Sequence, residues 1–416
     1  MGKYLRTFLK SSSIEDSFKH GEVLLAAVLA SRWLPERARD LPQLEAQSDL
    51  TGWEAALKWH GVAGILKKYH SEALKQLSPR FRAVLDTLHF QLFNESLQQF
   101  ALTKAILDSL QQAGITAVPL KGSVLSAQLY GDIGARSSSD IDILIDPDDF
   151  ERTYRVMLEL NYQPELDLYS DSRTLKYVLM LHKDVSFLRP ENPVVEIHFR
   201  NEPAPETSLP RLKNINQLEN FRFQGLDCSV LGPDELRHSV VQHALRSNVN
   251  RWKWGYDVLQ LVSAREEYNP WSNSGNILLS RAEQVCLYVL AREWNLPRQN
   301  FSSHRISGQL VLSASEARRR YFTATRWHQY IPALVAVRLL HSASRAVVYD
   351  RWQDRLFQIG NTMKMGWHPS HGAWQAAVLT RLPLAGIAFG IVRNFYGFAG
   401  ALIRKATKGT NHTSLS

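Results

Sequence analysis

Residues 118–145 read VPLKGSVLSAQLYGDIGARSSSDIDILI and contain the side chains whose spacing points most directly to chemistry. Asp140 and Asp142 alternate with Ile141, Ile143 and Ile145, the period of a strand with one buried face. Carboxylates at i and i+2 of a strand point to one side, where they repel each other and burial makes both costly. A divalent cation between them relieves both penalties, and hard oxygen ligands suit magnesium or manganese. Two such ions, clamping the attacking and leaving oxygens, make a phosphoryl- or nucleotidyl-transfer site. An Asp-x-Asp pair also occurs by chance on surface strands, so its surroundings decide. Residues 117–120 read as a short strand, and Gly122-Ser123 opens a helix through Leu129. A Gly-Ser turn before a helix offers bare N–H groups and the positive end of the helix dipole, which together cradle phosphate. Lys121 precedes that cradle, and Arg136 lies four residues before Asp140. Either cation can neutralise triphosphate charge, and arginine suits bidentate phosphate contact. The competing role for Arg136 is an ion pair with Asp140 or another nearby carboxylate.

The string Leu120-Lys121-Gly122, then Tyr130-Gly131, Arg136 and Asp140-Ile141-Asp142-Ile143-Leu144 resembles the nucleotidyltransferase superfamily of the DNA polymerase β type. Within it, the chain looks like a bacterial family described as uncharacterised nucleotidyltransferases. The likeness runs over residues 55–300, with its specific motifs in 118–200. It implies a third carboxylate on a following strand, a place that Glu196 fills in the alternating run Val194-Val195-Glu196-Ile197-His198-Phe199. The superfamily pattern has Asp there, one methylene shorter, and a shorter Gly-Ser to Asp spacing. The resemblance implies that Asp140, Asp142 and Glu196 hold Mg2+ or Mn2+, that Gly122 and Ser123 hold the β- and γ-phosphates, and that Lys121 and Arg136 assist. Asp142 or Glu196 would take the acceptor's proton.

The elements that must position these groups follow from periodicity. Residues 22–34, 53–69 and 92–112 carry apolar residues at three- and four-residue spacing, the mark of amphipathic helices packed against a sheet. Trp59 reads as a packed aromatic, and His60 as a surface or capping histidine. Asp146-Pro147-Asp148-Asp149 reads as a helix start capped by Asp148 or Asp149, with a helix over 150–160. Residues 178–188 and 193–199 read as two strands joined by the turn 189–192, a hairpin that brings Glu196 beside the aspartates. His182 and His198 flank the site in sequence, and His198 shares a strand face with Glu196. Helices are expected over 234–247 and 252–267. His243, Arg251-Trp252-Lys253-Trp254 and Asp257 read either as the wall of a nucleotide pocket, with a tryptophan on the base and Lys253 on a phosphate, or as an interhelical core with a buried Asp257 pair.

A chain of 416 residues, 44% hydrophobic and 21% charged, has ample core for two or three domains and excludes extensive disorder. Cys228 and Cys286 exclude a disulfide framework and fit packed thiols in a reducing cytoplasm. The first residues lack the apolar core of a signal peptide. The last hundred residues concentrate arginine and lysine, including Arg318-Arg319-Arg320, and supply much of the net charge of +9. Such a segment fits a nucleic acid or an anionic membrane surface, or a solvated helical face. The apolar runs 382–392 and 395–403 are too short to span a bilayer.

The expected architecture is α+β: a helical N-terminal region (1–112), a mixed-sheet nucleotidyltransferase core (113–230), a helical region completing the nucleotide pocket (231–312), and a basic helical C-terminal region with a disordered tail (313–416). The expected activity is transfer of a nucleoside monophosphate from a nucleoside triphosphate to a hydroxyl or similar nucleophile on a small molecule, sugar, peptide or protein. The alternatives are a catalytically weak nucleotide- or partner-binding relative, and a polyanion- or membrane-surface-binding protein working through the basic C-terminal region. The expected location is cytoplasmic, with peripheral contact at the inner membrane surface under the latter reading.

Overall fold

The computed structural model describes residues 12–165, 183–200, 211–215, 218–263, 270–271 and 279–297, with residues 179 and 309. His182, the basic C-terminal region, its two apolar runs and the tail lie outside the described residues. Among the described residues, no helix is long and apolar enough to cross a membrane.

The described residues begin with helices α1 (Ser12–Ala30), α2 (Leu41–Ala46), α3 (Leu50–His60), α4 (Ala63–Tyr69), α5 (Ser71–Lys75) and α6 (Pro79–Gln112). The Asp49 side chain caps α3 by accepting from the Gly52 N–H at 2.7 Å. The single helix expected over 53–69 is two. Gly61 closes α3 in the left-handed conformation, and its N–H bonds the Leu57 carbonyl. Helix α1 crosses α3 at nearly backbone contact. A Cβ on Gly21 would lie 2.2 Å from the Gly52 carbonyl oxygen, and one on Gly52 would lie 2.0 Å from that of Ser17.

Among the described residues the central sheet has five strands: β1 (Ala117–Pro119), β2 (Asp140–Ile145), β3 (Gln163–Pro164), β4 (Asp184–Leu188) and β5 (Val194–His198), in the order β1-β2-β5-β4-β3. Only β2 and β5 run parallel; the other pairings are antiparallel. Helix α7 (Gly122–Tyr130) follows β1, and α8 (Phe150–Glu159) follows β2 through a short 3-10 turn over Pro147–Asp149. The expected cap is displaced there. Asp146, not Asp148 or Asp149, makes the capping bond, to the Asp148 N–H. Asp148 instead pairs with Lys213 and Arg211. Strands β6 (Leu218–Phe223) and β7 (Leu226–Leu231) form a separate hairpin, followed by α9 (Pro233–Arg246), α10 (Trp252–Ser263) and α11 (Arg281–Glu293).

Ile141, Ile143 and Ile145 project into a core shared with Leu107 and Leu110 of α6, Val124 of α7 and Met157 of α8. Leu144, on the opposite face, packs with Val118 and with Leu231 of β7. Strand β2 is thus covered on both sides, as expected of a strand with a parallel neighbour. A second core joins the helices before the sheet to those after it. Trp53 and Leu85 belong to the same apolar cluster as Tyr256, Val285 and Trp294. His60 is correspondingly inside, not on the surface. It is fully buried, bonds Glu22 at 2.8 Å and stacks on Trp252 at 3.8 Å.

Candidate active site

The parallel ladder places Asp142 directly opposite Glu196, Asp140 opposite Val194 and Leu144 opposite His198. On the other edge of β5, β4 sets Ser186 opposite Glu196 and Asp184 opposite His198. With side chains alternating between faces, Asp142, Glu196, His198 and Asp184 converge on one side of the sheet. His198 Nε2 lies 2.8 Å from Asp142 Oδ1, 3.3 Å from Glu196 Oε2 and 3.7 Å from Asp184 Oδ2. Asp142, Glu196 and His198 each offer a ligand atom, all within 4.8 Å of one another.

Strand β1 delivers the turn beside these carboxylates. It pairs with β2 through Pro119↔Ile143, and the Leu120 N–H extends the ladder to the Asp142 carbonyl at 3.0 Å. Lys121, Gly122 and Ser123 then start α7 against the site. Gly122 has φ +71°, which a side chain would strain; the nearest atom to a Cβ there would be the Asp140 carbonyl oxygen at 3.6 Å, so conformation and not space selects glycine. Ser123 is buried, and its Oγ has no hydrogen-bond partner among the described residues. The Lys121 ammonium donates to Asp142 Oδ1 at 2.6 Å. Asp142 Oδ2 is buried, with no partner among the described residues.

These neighbours set the charges. Burial works to raise the Asp142 carboxyl, but the Lys121 ammonium and the bond from His198 overcome it and hold it well below the usual carboxylate range. The His198 bond, against burial and with help from Lys183, brings Glu196 down to about 2. Lys183 lies 3.4 Å from Glu196 Oε2 and also pairs with Asp184. Burial, reinforced by repulsion from Arg246, lowers Lys183 to about 8, against the pull of Glu196. His243, half-buried on α9, is pushed well below its ordinary range by desolvation and then by Lys121 and Arg246.

The expected site residues therefore divide. Asp142 and Glu196 face each other, with Lys121, Gly122 and Ser123 beside them. Asp140 is partly exposed, and its carboxylate accepts from Ser138 Oγ at 3.0 Å. Arg136 is 2% exposed and donates from Nε to Asp257 Oδ2 at 2.6 Å; Asp257 also accepts from the Tyr130 hydroxyl. Burial opposes the Arg136 charge, and Asp257 overcomes it. Lys253 is buried and donates to the Ser137 carbonyl. Trp252 is buried against His60, while Trp254 meets the His243 ring edge-on. This is the interhelical core with a buried Asp257 pair. Lys183 and Asp184 were not anticipated. For Asp184 the signal is alternation, since Asp184 and Ser186 keep the same parity along β4 as Glu196 and His198 along β5.

The donor set suits a divalent cation: carboxylate oxygens, one of them buried and unpartnered, with an imidazole among them. Residues 50–287 match the model of a protein family described as uncharacterised nucleotidyltransferase. No curated protein and no solved structure matches the chain.

Proposed function

The chain belongs to this nucleotidyltransferase family, and from that membership we propose that it moves a nucleoside monophosphate from a nucleoside triphosphate to a hydroxyl or similar nucleophile, with Mg2+ or Mn2+ bound. The observation that carries the reading is the register of β2 on β5, which sets Asp142 opposite Glu196 beside the N-terminus of α7. Asp142 and Glu196 would hold the cation, with Asp140 on the same strand and His198 between the two carboxylates. When bound, the cation polarises the phosphoryl group and lowers the pKa of the attacking hydroxyl. The acceptor hydroxyl would give its proton to solvent water as its oxygen forms the bond to the α-phosphorus and the bond to the pyrophosphate oxygen breaks, and pyrophosphate leaves.

The N–H groups of Gly122 and Ser123 and the Ser123 hydroxyl receive the β- and γ-phosphates. Lys121 and Lys183 balance the charge of the triphosphate. Asp142 and Glu196 are held so acidic that they suit holding charge better than taking a proton. Arg136 acts through Asp257, fixing the segment that leads into β2, in place of the phosphate contact expected from its spacing. Catalysis by such a site is mostly positioning and charge stabilisation.

Calorimetric titration with the four ribonucleoside triphosphates, with and without Mg2+ or Mn2+, tests this. The expected result is cation-dependent binding of one nucleotide, weakened at least about 100-fold in Asp142→Asn, roughly the loss of one charge-assisted contact. Nucleotide binding unchanged in that variant overturns the proposed site. One observation favours a second reading, a nucleotide binder with little turnover. The Lys121 ammonium already sits on Asp142 Oδ1, where it can stand in for a cation. Nucleotide binding that needs no divalent ion and gives no pyrophosphate would select it.

A further inference from the structure

We infer that His198 is a direct ligand of the cation at Asp142 and Glu196, making a mixed nitrogen–oxygen site that takes manganese in preference to magnesium. His198 can have this role only if the reading of the site as a divalent-cation centre holds. Neighbouring ligands about 2.1 Å from an octahedral ion stand about 3.0 Å apart. His198 Nε2 lies 2.8 Å from Asp142 Oδ1 and 3.3 Å from Glu196 Oε2, on either side of that spacing. Asp142 is 1% exposed, and its Oδ2 is a buried acceptor with no partner among the described residues. His198 is equally buried, and among the described residues its Nδ1 has no partner, so the ring's polar contacts there lie on the carboxylate side.

Asp140 is differently placed. It lies opposite Val194 and not Glu196, and Ser138 already bonds its carboxylate. Two carboxylates and an imidazole make a softer set than three carboxylates. Carboxylate oxygens suit magnesium and manganese alike, whereas imidazole suits first-row transition ions, and manganese is the one of the two that belongs to that series. The Lys121 ammonium holds Asp142 Oδ1, so an ion entering there displaces it.

Pulsed electron paramagnetic resonance of the full chain, stripped of metal and loaded with Mn2+ in the absence of nucleotide, reads the ligand directly. The expected spectrum carries 14N modulation from one imidazole, converted to the 15N pattern when the protein contains 15N-histidine. In His198→Gln the modulation disappears and Mn2+ affinity falls at least about tenfold. In competition, Mg2+ displaces half of the Mn2+ only at about tenfold excess or more. Bound Mn2+ without nitrogen modulation, or modulation that persists in His198→Gln, overturns His198 as a ligand and leaves the carboxylate site standing. Displacement by equimolar Mg2+ overturns the manganese preference. Failure to bind either ion overturns the cation site itself, and with it the reading under which His198 was placed. The isotope exchange is made in the unmutated chain, so the test survives if His198→Gln does not fold.

Discussion

Asp142 answers to three neighbours at once: a lysine, a histidine and, across the ladder, a glutamate. A carboxylate with no solvent exposure is costly unless charge is returned to it. Replacing it by asparagine leaves Lys121 partly buried beside a neutral amide, so Asp142→Asn is expected to lose stability as well as nucleotide binding. Chemical denaturation run beside the calorimetry separates the two losses. Away from the site, His70 is a buried neutral imidazole, 3.1 Å from the Val28 carbonyl and 3.2 Å from the Tyr256 hydroxyl. Burial first, and Arg32 second, push it from 6.5 to about 3, against the Val28 bond. Below its ordinary value the unfolded chain takes up a proton that the folded chain refuses. The His70 contribution is therefore complete above about pH 6.5 and is lost as pH falls towards 3. Urea unfolding between pH 7 and 5 should show a shallower fall in His70→Gln, by up to about 1.4 kcal/mol per pH unit. Parallel slopes in the two proteins would remove His70 from this account. The aspartate pair and its cradle could be read from residue types, because alternation fixes which side chains share a face. The destination of Arg136 could not. Its partner, Asp257, is 121 residues away, and no local pattern reports so distant a contact.

Among the elements, those that carry the site were the most legible. The strands over 140–145 and 193–199 declare themselves by alternation, and the short apolar run 117–120 also reads as a strand; all three appear within a residue or so of those bounds. Turn chemistry decided the failures. Apolar spacing continues through Gly61, so periodicity alone runs α3 into α4, whereas the backbone stops there. The β6–β7 hairpin leaves little trace in the apolar pattern, because β6 is largely exposed and its alternation is interrupted by Glu219 and Asn220. The available signal was Gln224-Gly225, where both residues have positive φ. The crossing of α1 on α3 is the element contact most exposed to a single change. Gly52→Ala places a methyl group against the Ser17 carbonyl, and overpacking of that kind costs about 1–3 kcal/mol. A melting temperature that stays within a degree of the parent protein, followed by circular dichroism, would show that the two helices can separate without penalty.

Over the whole molecule, one buried hydrogen-bonded cluster ties the segment before β2 to the helices after the sheet. Arg136 and Tyr130 meet Asp257 of α10, and Lys253 of the same helix reaches back to Ser137. Removing one member of a buried pair is worse than removing both. Asp257→Asn is expected to cost about 3–5 kcal/mol, while Arg136→Met/Asp257→Leu recovers part of that loss. Denaturant unfolding of the two variants checks the order; a double variant less stable than the single would reverse it. The α+β character could be read from the sequence, but the common apolar core of the helices at either end could not, since burial patterns do not name their partners.

The parallel pairing of β2 and β5 also divides the chain into parts that can drift and parts that cannot. Asp142 and His198 are 56 residues apart, and everything between them is a detour that starts and finishes on the same ladder. Residues gained or lost at the turn around Glu191 and Asn192 change the length of that detour and leave its two ends where they are. A shift of one residue within Val194–His198 is another matter. It turns Glu196 to the opposite face and presents Val195 in its place. Variation in length belongs in the detour, and the five-residue strand that closes it is the frame that must be kept.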